Sequence, residues 1–297
     1  MDRPQLPTTL TGPPLTAVGV AVIRARETQR DDRLYADPYA ARFVEAAQQA
    51  YLDPAAPEGA ERTWATVLQL ADAMYEARTI GVRIVDDALT EAATAGRTQI
   101  VLIGAGLDTH AFRTTWPGPV KLFEIDLPEL FTFKEPILRD AVATCERHLI
   151  EADLAAGDWP EALVTNGFDP AIPTHWVDHA LMTLPTDTAR AGVEAITRLS
   201  APGSRYGFPT MGRQSFDTTL KSVEGAADLY RTMSNVDRGL GDDARQWIET
   251  LGWSTSFISF SELAARYPRT VGSDTGSGTV TATRLGPSRE AAGMTGT

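Results

Sequence analysis

The chain has 297 residues and a net charge of −12, with 43% hydrophobic and 22% charged residues. That length holds one large α/β domain or two small ones, and the composition is ordinary for a globular protein. The acidic balance disfavours nucleic acid, which selects basic patches, and no apolar run reaches the roughly 18–20 residues of a membrane-spanning helix.

Residues 1–14, rich in Pro and Thr, are expected to form a disordered leader without the basic and apolar regions of a secretory signal. From Thr16 the pattern turns helical, with Ala17, Val20, Ala21, Ile23 and Arg24 on an apolar face. A dense charged stretch from Arg24 to Arg33 follows. Asp37-Pro38 marks a turn into a helix over Tyr39 to Ala50, with Pro at its start. Further helical segments run over 60–78 and 80–95. Residues 15–95 therefore predict a helical cap or lid.

The first strand comes only with Val101 to Ile103, and a second runs from Val120 to Phe123. Pro128 to Lys134 begins a helix, Arg147 to Ala152 reads as a third strand, and Trp159 to Leu163 as a short helix. Thr174 to Val177 is a fourth strand, Thr186 to Leu199 an amphipathic helix, and Ser204 to Pro209 a fifth strand. Residues 211–250 look helical and polar, a substrate-shaping insertion. Gly252 to Phe260 and Gly278 to Leu285 close the set, and 286–297 is a flexible tail. Strands alternating with helices over 96–285 predict a doubly wound α/β core with a mostly parallel, seven-stranded sheet.

The chemistry concentrates at two strand ends. Val101-Leu102-Ile103 runs into Gly104-Ala105-Gly106, a tight turn whose glycines let backbone approach a ligand. The second strand ends in Glu124-Ile125-Asp126, where a carboxylate can accept from both hydroxyls of a ribose. A dinucleotide site wants a third glycine, Gly-x-Gly-x-x-Gly. Here Leu107, Asp108 and Thr109 follow instead. Asp108 would repel a diphosphate and suits a cationic nucleoside such as S-adenosyl-L-methionine. Cys145, the single cysteine, excludes an internal disulfide and fits a reducing cytoplasm. His110 and His175 read as structural, and His148 as solvated. No His, Cys, Asp and Glu cluster has metal-ligand spacing, so no metal is expected.

These residues resemble the leucine carboxyl methyltransferase-like branch of class I S-adenosyl-L-methionine-dependent methyltransferases. The resemblance runs from about Thr16 to Tyr267. It rests on Arg24-Ala25-Arg26-Glu27-Thr28, Arg33-Leu34-Tyr35-Ala36-Asp37-Pro38-Tyr39-Ala40, Arg83-Ile84-Val85-Asp86-Asp87, Gly104-Ala105-Gly106-Leu107-Asp108-Thr109, Glu124-Ile125-Asp126-Leu127-Pro128, Asp153-Leu154 and Gly252-Trp253. It implies a Rossmann-like fold and methyl transfer to a small molecule, such as a secondary metabolite, leaving S-adenosyl-L-homocysteine.

The resemblance also implies roles. Arg83 would reach the cofactor's methionine carboxylate, with Arg78 as substitute. Gly104, Ala105 and Gly106 would pass beneath the cofactor. Asp126 would hold the ribose, with Glu124 as alternative, and Asp153 and Leu154 would meet the adenine.

After the fourth strand the family's Glu-Gly-Leu and Tyr-Leu-Pro are replaced. This chain reads Asp178-His179-Ala180-Leu181-Met182-Thr183-Leu184-Pro185, with His179 for the Glu and Thr183 for the Tyr. His179, with Asp178 beside it, is the expected general base if the acceptor is a hydroxyl; a carboxylate acceptor needs none. Two other functions stay open: a family member that binds the cofactor without methylating, and an NAD-dependent oxidoreductase.

Overall fold

The computed structural model describes residues 13–210, 223, 226, 238–269 and 277–286. The expected leader up to residue 12, most of the 211–250 insertion and the tail beyond 286 lie outside them. Helix α1 (Pro13–Thr28) takes in the last two residues of the expected leader. It is followed by α2 (Ala40–Tyr51), α3 (Ala60–Ala73) and α4 (Tyr75–Thr94). The break between the last two falls at Met74 rather than near residue 79.

Seven strands form one sheet: β1 (Gln99–Ile103), β2 (Lys121–Asp126), β3 (Glu146–Glu151), β4 (Thr174–Asp178), β5 (Arg205–Thr210), β6 (Trp253–Ser259) and β7 (Gly278–Arg284). Their order is β3-β2-β1-β4-β5-β7-β6. β1 to β5 pair in parallel, and β7 runs antiparallel to both its neighbours. The connecting helices are α5 (His110–Arg113), α6 (Pro128–Leu138), α7 (Trp159–Thr165), α8 (Thr186–Arg198), α9 (Ala244–Thr250) and α10 (Phe260–Ala264).

Two cores sandwich the sheet, and β1 shows how the sequence divides them. Its five residues are all buried, and alternate side chains point to opposite faces. Ile100 and Leu102 join a core built with residues of α1 to α4 and α6, whereas Val101 and Ile103 join one built with α7, α8 and α9. A strand covered on both faces reads as a continuous apolar run, which is why β1 was legible. The amino-terminal helices thus cover one face of the sheet. Leu89 of α4 packs in the same core as β1, with Val85 and Ala93 against it, so these helices supply one layer of the sandwich.

One polar cluster interrupts that layer. Glu124 on β2 is fully buried and accepts from Lys134 Nζ at 2.7 Å, itself fully buried on α6. Arg147 on β3 donates to both Glu124 oxygens at 2.8 Å and to Glu135. The cluster ties β2, β3 and α6 together and holds Glu124 fully buried with both oxygens paired.

Removing one member of a buried pair leaves an uncompensated charge, usually at a cost of about 3–5 kcal/mol. Because Glu124 keeps Arg147, Lys134→Met is expected to sit near the lower end, about 3 kcal/mol in urea unfolding. A loss below about 1 kcal/mol would show that Arg147 alone neutralises Glu124.

Candidate functional site

The strand order reverses between β1 and β4, and in open α/β sheets the crevice beyond the carboxyl ends at such a point takes the ligand. Here the loops after β1 and β4 meet. The His179 backbone N–H donates to the Ile103 carbonyl at 2.9 Å. Gly104 has φ +71°, and a Cβ there would overlap that of Ala180. Gly106 has φ +51°, and a Cβ there would lie 3.1 Å from the Ala17 side chain on α1. Both glycines sit where a side chain is strained. Their nearest neighbours are protein atoms, so they let α1 and the β4 loop close on the turn. Ala105 between them is buried, and the Gly104 and Ala105 N–H groups both donate to the Ile125 carbonyl.

Asp126, at the end of β2, accepts from the Gly106 N–H at 2.5 Å with one oxygen and from the Leu127 N–H at 2.7 Å with the other. Burial raises its pKa against those two bonds. A carboxylate offers about four lone-pair sites, so capacity for hydroxyl donors remains. Glu124, the alternative, is spent on Lys134 and Arg147 and is removed from consideration. Asp153 is exposed beyond β3 and accepts from the Ala155 N–H at 2.9 Å, and Leu154 packs at the edge of the second core.

Arg83 is engaged within the protein. It donates to Asp87 at 2.9 Å, one turn along α4, and to the Leu34 carbonyl at 2.6 Å. Arg78, five residues earlier, is half-buried and lines a shallow groove with Leu15, Val20, Ile23, Leu70 and Met74. Its charge acts on His179. The structure therefore brings Arg78, not Arg83, toward the crevice.

His179 opens to solvent yet is walled by protein. That surrounding desolvates the ring and pushes its pKa down to about 4, with His110, Arg78 and Arg24 adding to the fall and Asp108 opposing it. Asp178 is fully enclosed. One oxygen accepts from the Ala180 and Leu181 N–H groups at 2.9 and 2.7 Å, and the other from the Tyr206 hydroxyl at 2.9 Å. Burial raises its pKa to about 6 against those three bonds. Asp178 shapes the loop, and its burial with both oxygens engaged keeps it from a substrate.

Asp108 departs from expectation as well. It turns inward, 9% exposed, and both oxygens are taken by the backbone N–H and ring Nδ1 of His110 at 2.8 and 2.6 Å. Its charge is neutralised inside the protein and cannot discriminate between a phosphate and a sulfonium.

The cofactor is decided by kinship instead. The family model described as leucine carboxyl methyltransferase matches residues 17–197. The chain belongs to the leucine carboxyl methyltransferase family. A Frankia alni relative, named as a candidate S-adenosyl-L-methionine-dependent methyltransferase, is 41% identical over 276 residues, 91% of this chain and 94% of its own. A Streptomyces coelicolor protein of the same description is 37% identical over 257 residues, 86% of this chain and 87% of its own. A solved structure of a candidate methyltransferase from Thermobifida fusca shares the fold, with a TM-score of 0.51 and 18% identity over 81% of this chain and 94% of that one.

This family member is an S-adenosyl-L-methionine-dependent methyltransferase. Its crevice fits the cofactor: Asp126 has spare acceptor capacity at the β2 end, and Arg78 brings a cation to the β4 side. Among the described residues there is no group of three His, Cys, Asp or Glu that would hold a metal ion, and no helix long and apolar enough to cross a membrane.

Two residues that shape the site carried a signal in the sequence without being singled out. Arg24 falls on the apolar face of α1 and is buried, donating to the Leu107 carbonyl at 2.5 Å and pairing with Asp37 at 3.1 Å. A charged residue at an apolar-face position was the clue. Thr109 donates to Asp37 at 2.8 Å, fastening the same corner.

The raised pKa of Asp178 gives a signed prediction. A carboxyl titrating near 6 in the fold, against 3.8 when exposed, stabilises the fold below pH 4 and loses that stabilisation as pH rises through 6. The amount is on the order of 3 kcal/mol. Asp178→Asn should therefore gain on the wild-type protein as pH rises from about 4 to 7 in paired urea titrations. A gap that stays constant over that range would contradict the assignment.

Proposed function

We propose that the chain transfers a methyl group to the carboxylate of a small apolar acid. The observation that carries this reading is that neither expected base is fit for the task. Asp178 has both oxygens engaged within its own loop and with Tyr206. His179, with its pKa pushed down to about 4, is neutral at pH 7 and a weak proton acceptor. General-base catalysis works best with a pKa near the operating pH. A carboxylate is already ionised and needs no base, so position and charge suffice.

The residues divide the work accordingly. Gly104, Ala105 and Gly106 form the floor beneath the cofactor, Asp126 accepts from its ribose, Asp153 and Leu154 meet its adenine, and Arg78 takes its methionine carboxylate. The bound cofactor supplies an electrophilic methyl group on a sulfonium. His179 faces the acceptor and orients it as a neutral hydrogen-bonding group. The groove between α1 and α3, lined by Leu15, Val20, Ile23 and Leu70, receives the acceptor's apolar part. Holding nucleophile and methyl together is the main catalytic device, and such positioning supplies roughly 7–11 kcal/mol.

The hydroxyl alternative keeps one observation in its favour, the exposed position of His179. Calorimetric titration with S-adenosyl-L-methionine and S-adenosyl-L-homocysteine comes first, followed by turnover with apolar acids and with phenols. Methyl esters, labile to mild base, are the expected products. Ethers stable to base would overturn the carboxylate reading, and binding of both nucleosides without turnover would favour the non-methylating member.

Variants separate the roles. Arg78→Ala should weaken S-adenosyl-L-homocysteine about tenfold or more, the loss of one charge-assisted contact. Arg83→Ala should change it by less than about threefold, as an exposed pair is worth little. His179→Ala should reduce kcat by less than about tenfold, whereas a general base would cost about 10²–10⁴-fold.

A further inference from the structure

His110 stands between two carboxylates. Its Nδ1 lies 2.6 Å from Asp108 Oδ2 in the loop after β1, and its Nε2 lies 2.7 Å from Asp86 Oδ1 on α4. The ring itself is 3% exposed. A neutral imidazole carries one N–H and can serve only one of these acceptors; the imidazolium serves both. We propose that His110 is a positioning residue that holds the glycine loop against α4 as an imidazolium, so that cofactor affinity falls when the ring loses its second proton. The proposal rests on the reading that this loop carries the cofactor.

The surrounding charges support the protonated form. Asp37, Asp86 and Asp108 face Arg24 and Arg113 in one enclosed corner, and the imidazolium makes three cations for three carboxylates. The groups around His110 come from every packed element. Asp86 comes from α4, Arg113 from its own helix, Arg24 from α1, and Asp37 with Tyr35 from the α1–α2 connection. His179 comes from the β4 loop, and Lys134 acts on Asp108 from α6. Burial lowers the His110 pKa, but Asp108 and Asp86 outweigh burial and Arg113, so the net shift is upward.

Arg113 supplies the competing arrangement. Its Nη2 lies 2.9 Å from Nε2 and would donate to a neutral ring. Arg113 already reaches both Asp86 oxygens, at 3.0 and 2.5 Å, and has no need of that acceptor. In the neutral case Nε2 would turn a lone pair on Asp86 at 2.7 Å, and the contact would be repulsive. The linkage has a definite sign. A histidine whose pKa is raised in the fold stabilises it below the ordinary 6.5, and that contribution is lost as pH climbs through the folded value.

Nitrogen-15 NMR of the full chain reads the ring directly, and at pH 7 both His110 nitrogens should be protonated. A single protonated nitrogen would overturn the proposal. Calorimetry with S-adenosyl-L-homocysteine at pH 7 should show His110→Gln binding roughly 3- to 30-fold more weakly than the wild-type protein, the range that indirect coupling supports. An unchanged dissociation constant would overturn it as well. Raising the pH to 9.5 gives the second arm, with the Gln variant correcting for the ligand's own titration. The wild-type affinity should fall at the pH where NMR shows the ring deprotonating, and ring deprotonation without such a fall refutes the link. Should the Gln variant not fold, this wild-type comparison still decides. Absence of binding by the wild-type protein at any pH would instead sink the cofactor assignment of the loop, with the ring signals still readable.

Discussion

Two loops touch at the carboxyl edge of the sheet, and the site depends on that contact. Gly104 admits Ala180, and the His179 N–H closes on the Ile103 carbonyl. Neither loop could be moved alone. Asp178 fixes the β4 loop from below by accepting two of its backbone N–H groups, while Tyr206 on β5 closes the other carboxylate oxygen. A buried carboxylate with three donors holds a shape that the short 3₁₀ turn Leu181–Thr183 would not hold by itself. The crevice at the switch point is therefore a consequence of backbone closure, and its side chains are mounted on a rigid frame.

Charge holds the other side of the frame. Arg24 reaches from α1 to the Leu107 carbonyl and to Asp37, Thr109 reaches Asp37, and His110 reaches Asp86 on α4. Three of these four links end on the six residues after Gly104, and the fourth joins Arg24 to the same Asp37. Buried charges are costly unless paired, and here they are balanced locally in an otherwise acidic chain. The amino-terminal helices are consequently fastened to the glycine loop itself, which explains why α1 lies close enough to Gly106 for only a hydrogen to stand between them.

The sequence showed β1 best because that strand is buried on both faces and reads, after Gln99, as an unbroken apolar run, whereas β3 and β5 are partly exposed and were legible only through their alternation with helices. It showed the crevice through two glycines and an acid at a strand end. Partner choice was not legible. Arg78 and Arg83 lie on one helix, and at 100° per residue a separation of five turns them about 140° apart, so one alone can face the crevice. Nothing in composition says which; packing of α4 against α1 and β1 decides it. Glu124 and Asp126 share a face of β2, but only Glu124 lies within reach of Lys134 and Arg147. Asp108 followed a glycine loop like a ligand-facing acid, and its partner His110 was two residues away. Local spacing described where these groups stand, and tertiary neighbours determined where they point.

The altered segment after β4 gains a physical reading from this frame. The backbone of residue 179 is held by the Ile103 carbonyl, and that bond does not involve the side chain. The neighbouring N–H groups are held by Asp178, whose own side chain points away from the crevice toward Tyr206. A change of side chain at position 179 therefore leaves the glycine loop and its approach to the β4 loop intact. Its effects fall on what the exposed ring meets across the crevice. On the proposed reading, a neutral imidazole in place of a carboxylate removes a negative charge from the side that a negatively charged acceptor approaches, while the substitution that breaks the family pattern leaves the frame beneath it intact.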